Sequence, residues 1–275
     1  MQPSERIIMI RSATTSFDGF FEDSKYVAFK NHLYNYRLRK RAVEKTLQGD
    51  VPELILEVGS GISPVMTRTR RIIYSDLSFT AMKALKQSLG RGCYVVADGM
   101  HLPFQSGVFS HTVSSEVLEH LKDDQGAINE MARVMRPEAH CIVTFPHKKF
   151  YFANDDRFVK HYRRYELNDM IDRLNRAGLH PVRIQKILGP LEKATMSSLV
   201  FCYAVMQKLN KNKKNNVITK KPLVVVKGFV FLFKWANLIY MTLAWLDAQI
   251  WPRSLATILM INSIKTQKTG IPSPE

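Results

Sequence analysis

The sequence predicts an α/β chain with a doubly wound, mostly parallel sheet, led by N-terminal helices and followed by an apolar helical appendage. Three observations predict it. Short apolar runs that end in polar or glycine turns recur at residues 53–58, 71–75, 93–97, 111–115 and 141–145. Segments of helical character, Phe79–Leu89 and Gln125–Val134, lie between them. A strand, helix, strand alternation of this kind buries its parallel strands under helices on both faces. The first run also ends in Gly59-Ser60-Gly61, a turn that permits close approach of a ligand to the backbone.

Taken in order, the chain opens with the apolar run Ile7 to Ile10, far shorter than a signal-peptide core, so a cytoplasmic protein is expected. From Ser16 to about Leu47 the pattern is helical and aromatic, with Phe17, Phe20, Phe21, Tyr26, Phe29, Tyr34 and Tyr36. The alternating core follows. Glu166–Ala177 reads as a helix stopped by Gly178, and Val182–Leu188 as a further strand. After Gly189-Pro190 the character changes to two apolar stretches, Thr195–Leu209 and Pro222–Leu246, around a lysine- and asparagine-rich linker. The expected organisation is therefore a helical segment over 1–50, a ligand-binding domain over 51–190, and a basic, apolar helical region over 191–275.

Composition narrows the partners. The chain has 275 residues and a formal net charge of +16, and no acidic residue falls between Glu192 and Asp247. Such a block implies an anionic partner, either nucleic acid or the anionic face of a membrane. Cys93, Cys141 and Cys202 are scattered, which argues against a disulfide scaffold or a zinc cluster and fits buried small hydrophobes. No metal is expected.

The glycine turn is the first piece of chemistry. Ser63 as N-cap and Pro64 at the first helical position predict a short helix after it, whose positive end and backbone N–H groups face a negative ligand group. A turn of this kind also serves in many proteins as a plain tight bend. Asp76 ends the second strand, where doubly wound folds hold a ribose diol, because a carboxylate accepts two hydrogen bonds at once. An acid that caps the next turn is the bland reading. Asp98, with Gly99 and Met100, ends the third strand.

Together these segments resemble the type-11 group of class I S-adenosylmethionine (SAM)-dependent methyltransferases. The resemblance runs through the glycine loop, Ser75-Asp76-Leu77-Ser78, the Asp98 segment to Leu102-Pro103-Phe104, and Ser115-Glu116-Val117-Leu118-Glu119-His120. It continues in Arg136-Pro137 and Thr144-Phe145-Pro146, covering roughly Leu54 to Gly189. It implies a Rossmann-like fold with SAM as cofactor. Glu57 with Gly59, Ser60 and Gly61 would hold the methionine end, Asp76 beside Leu77 the ribose, and Asp98, Gly99 and Met100 the adenine. Ser115 and Glu116 would line the methyl-donor side. Two departures stand out: Ser63 replaces the third glycine of the loop, and Pro137-Glu138-Ala139 replaces a Pro-Gly-Gly turn.

A hydroxyl acceptor needs a base. His120, His147 and His161 are the candidates near strand ends, though a histidine in such a loop is more often structural. Arg163 and Arg164 suit a phosphate or carboxylate. The resemblance, with the C-terminal region, implies a small or lipid-linked acceptor: lipid, quinone or surface-glycan precursor. Lys227 and Lys234 interrupt Pro222–Leu246, which argues against a membrane span and for a helix lying on the inner membrane face, with Trp235, Tyr240, Trp245 and Trp251 at the boundary. A homodimer contact would use the same apolar face. The alternatives are a nucleic-acid methyltransferase, disfavoured by Ser-Ser-Glu-Val after the fourth strand, and a non-catalytic SAM-fold docking protein. A nicotinamide-dependent oxidoreductase is disfavoured by the incomplete glycine fingerprint.

Overall fold

The computed structural model describes residues 7–9, 31–47, 53–211 and 223–266. Its strands are β1 (Ile7–Met9), β2 (Ile55–Val58), β3 (Ile72–Asp76), β4 (Cys93–Val96), β5 (Phe109–Ser115), β6 (Met135–Pro146), β7 (Leu179–Leu188) and β8 (Ile258–Lys265). Its α-helices are α1 (Tyr34–Thr46), α2 (Phe79–Leu89), α3 (Asp124–Val134), α4 (Asn154–Phe158), α5 (Leu167–Arg176), α6 (Pro190–Lys211) and α7 (Leu223–Ile250). One sheet runs β1-β4-β3-β2-β5-β6-β8-β7. Every pairing from β1 across to β6 is parallel, and only β8 runs antiparallel to its neighbours β6 and β7. The order reverses between β2 and β5, and ligands of open α/β sheets bind at that switch point.

Side chains leave a strand alternately to its two faces, and the two cores follow that rule. Ile55 of β2, Ile142 of β6 and Met260 of β8 point to a core shared with Tyr34, Tyr36 and Val43 of α1 and Ala244 of α7. Their neighbours Leu56, Val143, Leu259 and Ile261 point to the other core, with Ile128 and Met131 of α3 and Met170 and Leu174 of α5. All four residues of β2 are buried, as a central parallel strand covered on both faces requires.

Local signals set the helix ends. Ser78 Oγ accepts a hydrogen bond from the Ala81 N–H and starts α2, which ends at Gly90 in the left-handed region (φ 64°). Asp123 caps α3 by accepting from the Gly126 N–H.

Three expectations change. No helix follows the glycine turn, because residues 59–70 are irregular. Instead of capping a helix at Ser63-Pro64, the chain turns its Val65 and Met66 N–H groups onto the buried Glu57 carboxylate, at 2.7 and 3.0 Å. The C-terminal region, expected as an appendage beyond residue 190, supplies β8 between β6 and the edge strand β7 and packs α7 against α1 and β7. Of the cysteines only Cys141 is buried, while Cys93 and Cys202 are exposed. The aromatic stretch before Asn31, the lysine-rich linker and the tail beyond Thr266 lie outside the described residues.

Helix α7 is patterned inside out. Asn237, Ala244, Asp247 and Ala248 face the protein: Asn237 Oδ1 accepts from the Tyr34 N–H, Asp247 Oδ2 accepts from the Leu191 N–H, and both alanines are buried. The outward positions are Trp235, Leu238, Ile239, Leu243, Trp245, Leu246 and Ile250, all exposed. Among the described residues no helix is long and apolar enough to cross a membrane.

Candidate active site

A cavity of about 760 Å³ opens over the carboxyl ends of β2, β3, β4 and β5. Its floor is the turn Gly59-Ser60-Gly61. Gly59 sits at φ 71°, and a Cβ there would overlap the Val117 side chain, so no other residue fits without strain. The hydroxyls of Ser60 and Ser63, both on the cavity wall, are buried with no hydrogen-bond partner in the protein. Buried polar atoms of this kind are costly unless a ligand completes them.

The predicted acids come together around this floor. Asp76 Oδ2 accepts from the Gly61 N–H and Oδ1 from the Ser78 N–H, each at 2.9 Å, which fixes the carboxylate. Asp98 is held by the Met100 N–H at 2.9 Å. Glu57, Gly59, Ser60, Gly61, Asp76, Leu77, Asp98, Gly99, Ser115 and Glu116 all line the cavity. Met100 is not among the lining residues and packs against the core of α3 instead. Burial pushes the Glu57 carboxyl up to about 8 despite its two backbone donors. Its fit to the site is therefore as the brace that shapes the loop.

The three histidines separate. His120 and His161 line the cavity with ring centroids 4.7 Å apart. His147 does not reach it: the ring is buried, Nδ1 lies 2.8 Å from the Ala256 carbonyl oxygen, and burial holds its pKa below the ordinary value. The arginines expected to grip a ligand are engaged internally. Arg163 pairs with Asp124 at 2.9 Å, and Arg164 with Asp156 at 2.7 Å.

Several lining residues carry no sequence signal of their own. Arg39 of α1 donates to Ser115 Oγ at 3.2 Å, and its Nε is buried without a partner. Glu192 of α6 enters from the opposite wall, where burial raises its carboxyl to about 7. Tyr36, from the aromatic N-terminal stretch, joins them and donates to the Pro64 carbonyl at 2.8 Å. The lining also includes the apolar side chains of Phe158, Val159, Met196, Leu199 and Val200, with Asp155, Asp156 and Arg164.

Against the expectation of no metal, Glu119, His120 and His161 offer ligand atoms that lie within 4.8 Å of one another. Glu119 is fully buried, and neither of its carboxylate oxygens accepts a hydrogen bond.

Comparison with known proteins agrees with this geometry. Residues 56–143 match a family model described as a methyltransferase domain. A demethylmenaquinone methyltransferase of Streptomyces griseus is 25% identical over 131 residues, a stretch covering 46% of this chain and 57% of that relative. The chain thus spans little more than half the length of this curated relative. Among solved structures, the methyltransferase bound to the Haloferax volcanii Trm112 activator superposes with a TM-score of 0.59 at 14% identity, covering 93% of this chain and all of that one (100%). The N-methyltransferase NodS of Bradyrhizobium japonicum, in complex with S-adenosylhomocysteine, gives 0.53 at 16% identity over 63% and 89% of the two chains. The orphaned serine hydroxyls, the glycine cradle and the two strand-end acids fit SAM, the cofactor of this domain. Residues 56–143 of this chain match a methyltransferase domain, and the chain shares the fold of solved methyltransferases.

Proposed function

We propose that the chain transfers a methyl group from SAM to a small or lipid-linked acceptor that enters along the apolar side chains of the cavity. The observation that carries this reading is the cavity's mixed lining: Asp76, Asp98 and the glycine turn share one cavity with the apolar side chains of Phe158, Val159, Met196, Leu199 and Val200. When bound, SAM supplies an electrophilic methyl group on a cationic sulfur. The chain's own task is to align donor with acceptor and to exclude water. In this reading Gly59, Ser60, Gly61 and Ser63 receive the methionine end, Asp76 the ribose hydroxyls, and Asp98 with Gly99 the adenine. Ser115 and Glu116 border the transfer path. A hydroxyl acceptor must also lose a proton, and His120 and His161 are the candidates beside the cavity.

Two observations favour an acceptor of lipid or quinone character. The relative from Streptomyces griseus is named for demethylmenaquinone, and the cavity lining here includes those apolar side chains. The outward face of α7, next to the exposed Leu199 and Phe201 of α6, supports docking on an anionic membrane surface. A chain with net charge +16 is attracted to such a surface.

Calorimetric titration of SAM and S-adenosylhomocysteine into the full chain tests the core of the proposal. Saturable binding is expected, with Asp76→Ala and Asp98→Ala each weakening it at least tenfold. No binding by folded wild-type protein would overturn the enzyme reading in favour of a docking protein.

A further inference from the structure

We propose that Glu119, His120 and His161 form a site for one divalent transition-metal ion of the zinc class, opening on the acceptor side of the cavity. The site's place beside the acceptor rests on the methyl-transfer reading, but its ligand set does not.

The argument begins with Glu119. It lies in the short 3-10 turn Leu118–His120 after β5, at 0% exposure, with no hydrogen bond to either carboxylate oxygen. A buried carboxylate normally has two or more donors, and one with none leaves its oxygens for a cation or a retained proton.

What faces Glu119 is a second electron-rich atom. His161 Nε2 lies 3.7 Å from Glu119 Oε1, while His161 Nδ1 lies 2.9 Å from Asp156 Oδ1. If Nδ1 carries the ring proton and donates it to Asp156, Nε2 turns a lone pair toward the Glu119 oxygen. Two bonds of about 2.1 Å span that separation at the bent angle of a tetrahedral ion. The carboxylate behind the histidine is the usual orienting partner of a metal-bound imidazole. Asp156 is itself over-determined. Besides His161 it accepts from the Arg164 guanidinium and the Lys193 ammonium, each at 2.7 Å, so its position is fixed.

His120, next in sequence to Glu119, completes a set of two imidazoles and one carboxylate. Both histidines line the cavity, which leaves a fourth position open to water or to an acceptor oxygen, as in sites where a metal acts on a substrate. Mixed nitrogen and oxygen ligands select a borderline ion such as zinc, iron or manganese over magnesium or calcium.

The test uses the full chain after chelator treatment. Zn²⁺ is titrated by calorimetry and Co²⁺ by visible absorption, and SAM binding is measured on the same samples. One equivalent of each ion is expected, with cobalt bands stronger than those of the aqua ion. Glu119→Gln and His161→Ala should weaken uptake at least tenfold, and Asp156→Asn by roughly 10–100-fold. His161→Cys should add a thiolate-to-cobalt charge-transfer band, a signature that a merely structural residue would not produce. An aqua-like cobalt spectrum with the folded wild type, or undiminished affinity in the folded Glu119→Gln and His161→Ala variants, would overturn the site. Metal uptake without SAM binding would leave the site standing and remove the methyl-transfer reading.

Discussion

Glu192 shows how a single side chain can couple the cavity to pH. It is almost fully buried, and burial raises its carboxyl to about 7. An acid whose folded pKa lies above its unfolded value of about 4.5 binds its proton more tightly in the folded state. Its contribution to stability is therefore complete below about 4.5 and is lost as pH rises through about 7. Urea unfolding at pH 5 and pH 8 should show wild-type stability falling with pH, by at most on the order of 3 kcal/mol from this group. Glu192→Gln, which cannot ionise, should flatten that part of the slope; an unchanged slope would remove Glu192 as its source. Such residues were not legible in the sequence. Asp76 and Asp98 were, because each ends or follows a strand whose apolar run marks its position. Arg39 and Glu192 reach the cavity only through tertiary packing, which no local spacing records.

At the scale of elements, legibility tracks how much of an element's cause is local. Phe79–Leu89 was readable to the residue, since Gly90 follows it and its apolar positions Ala81, Met82 and Leu85 repeat at helical spacing. The helix expected after Pro64 does not form because a partner outside the segment, Glu57, takes the Val65 and Met66 N–H groups. A capping signal loses to a buried carboxylate. Helix α7 was readable as a helix but not in its orientation, since Asn237 and Asp247 turn inward as hydrogen-bond acceptors. Its outward tryptophans and aliphatic side chains carry a prediction. The chain should sediment with phosphatidylglycerol-containing vesicles more than with neutral ones, and salt should reduce binding. Ile239→Asp with Trp245→Asp should weaken vesicle binding several-fold without changing SAM affinity. Failure to bind vesicles, with the wild type sedimenting as a dimer that these substitutions split, would assign the face to a second copy.

For the whole molecule, the least legible fact is that the sheet is completed from the far end of the chain. Ile258–Lys265 reads as a plain apolar run, and the helical character of residues 191–250 hid its membership of the core. Yet β8 pairs along most of its length with both β6 and β7, and Leu259 and Ile261 are buried against α5 and β6. Removing residues 251–275 should therefore abolish cooperative unfolding rather than trim stability. Circular dichroism melts would check this, and a sharp transition in the shortened chain would show that β6 and β7 close without it.

The position of β8 also bears on how the protein is made. A ribosome releases β6 and β7 long before it releases the strand that joins them. Until then the β6 edge is an open template for pairing with other chains, flanked by apolar side chains. The nascent chain must carry that exposed edge through synthesis of α6 and α7. Chaperone demand during translation should thus concentrate while the codons between β7 and β8 are read, and a stop codon before β8 is more dangerous here than its distance from the candidate site suggests.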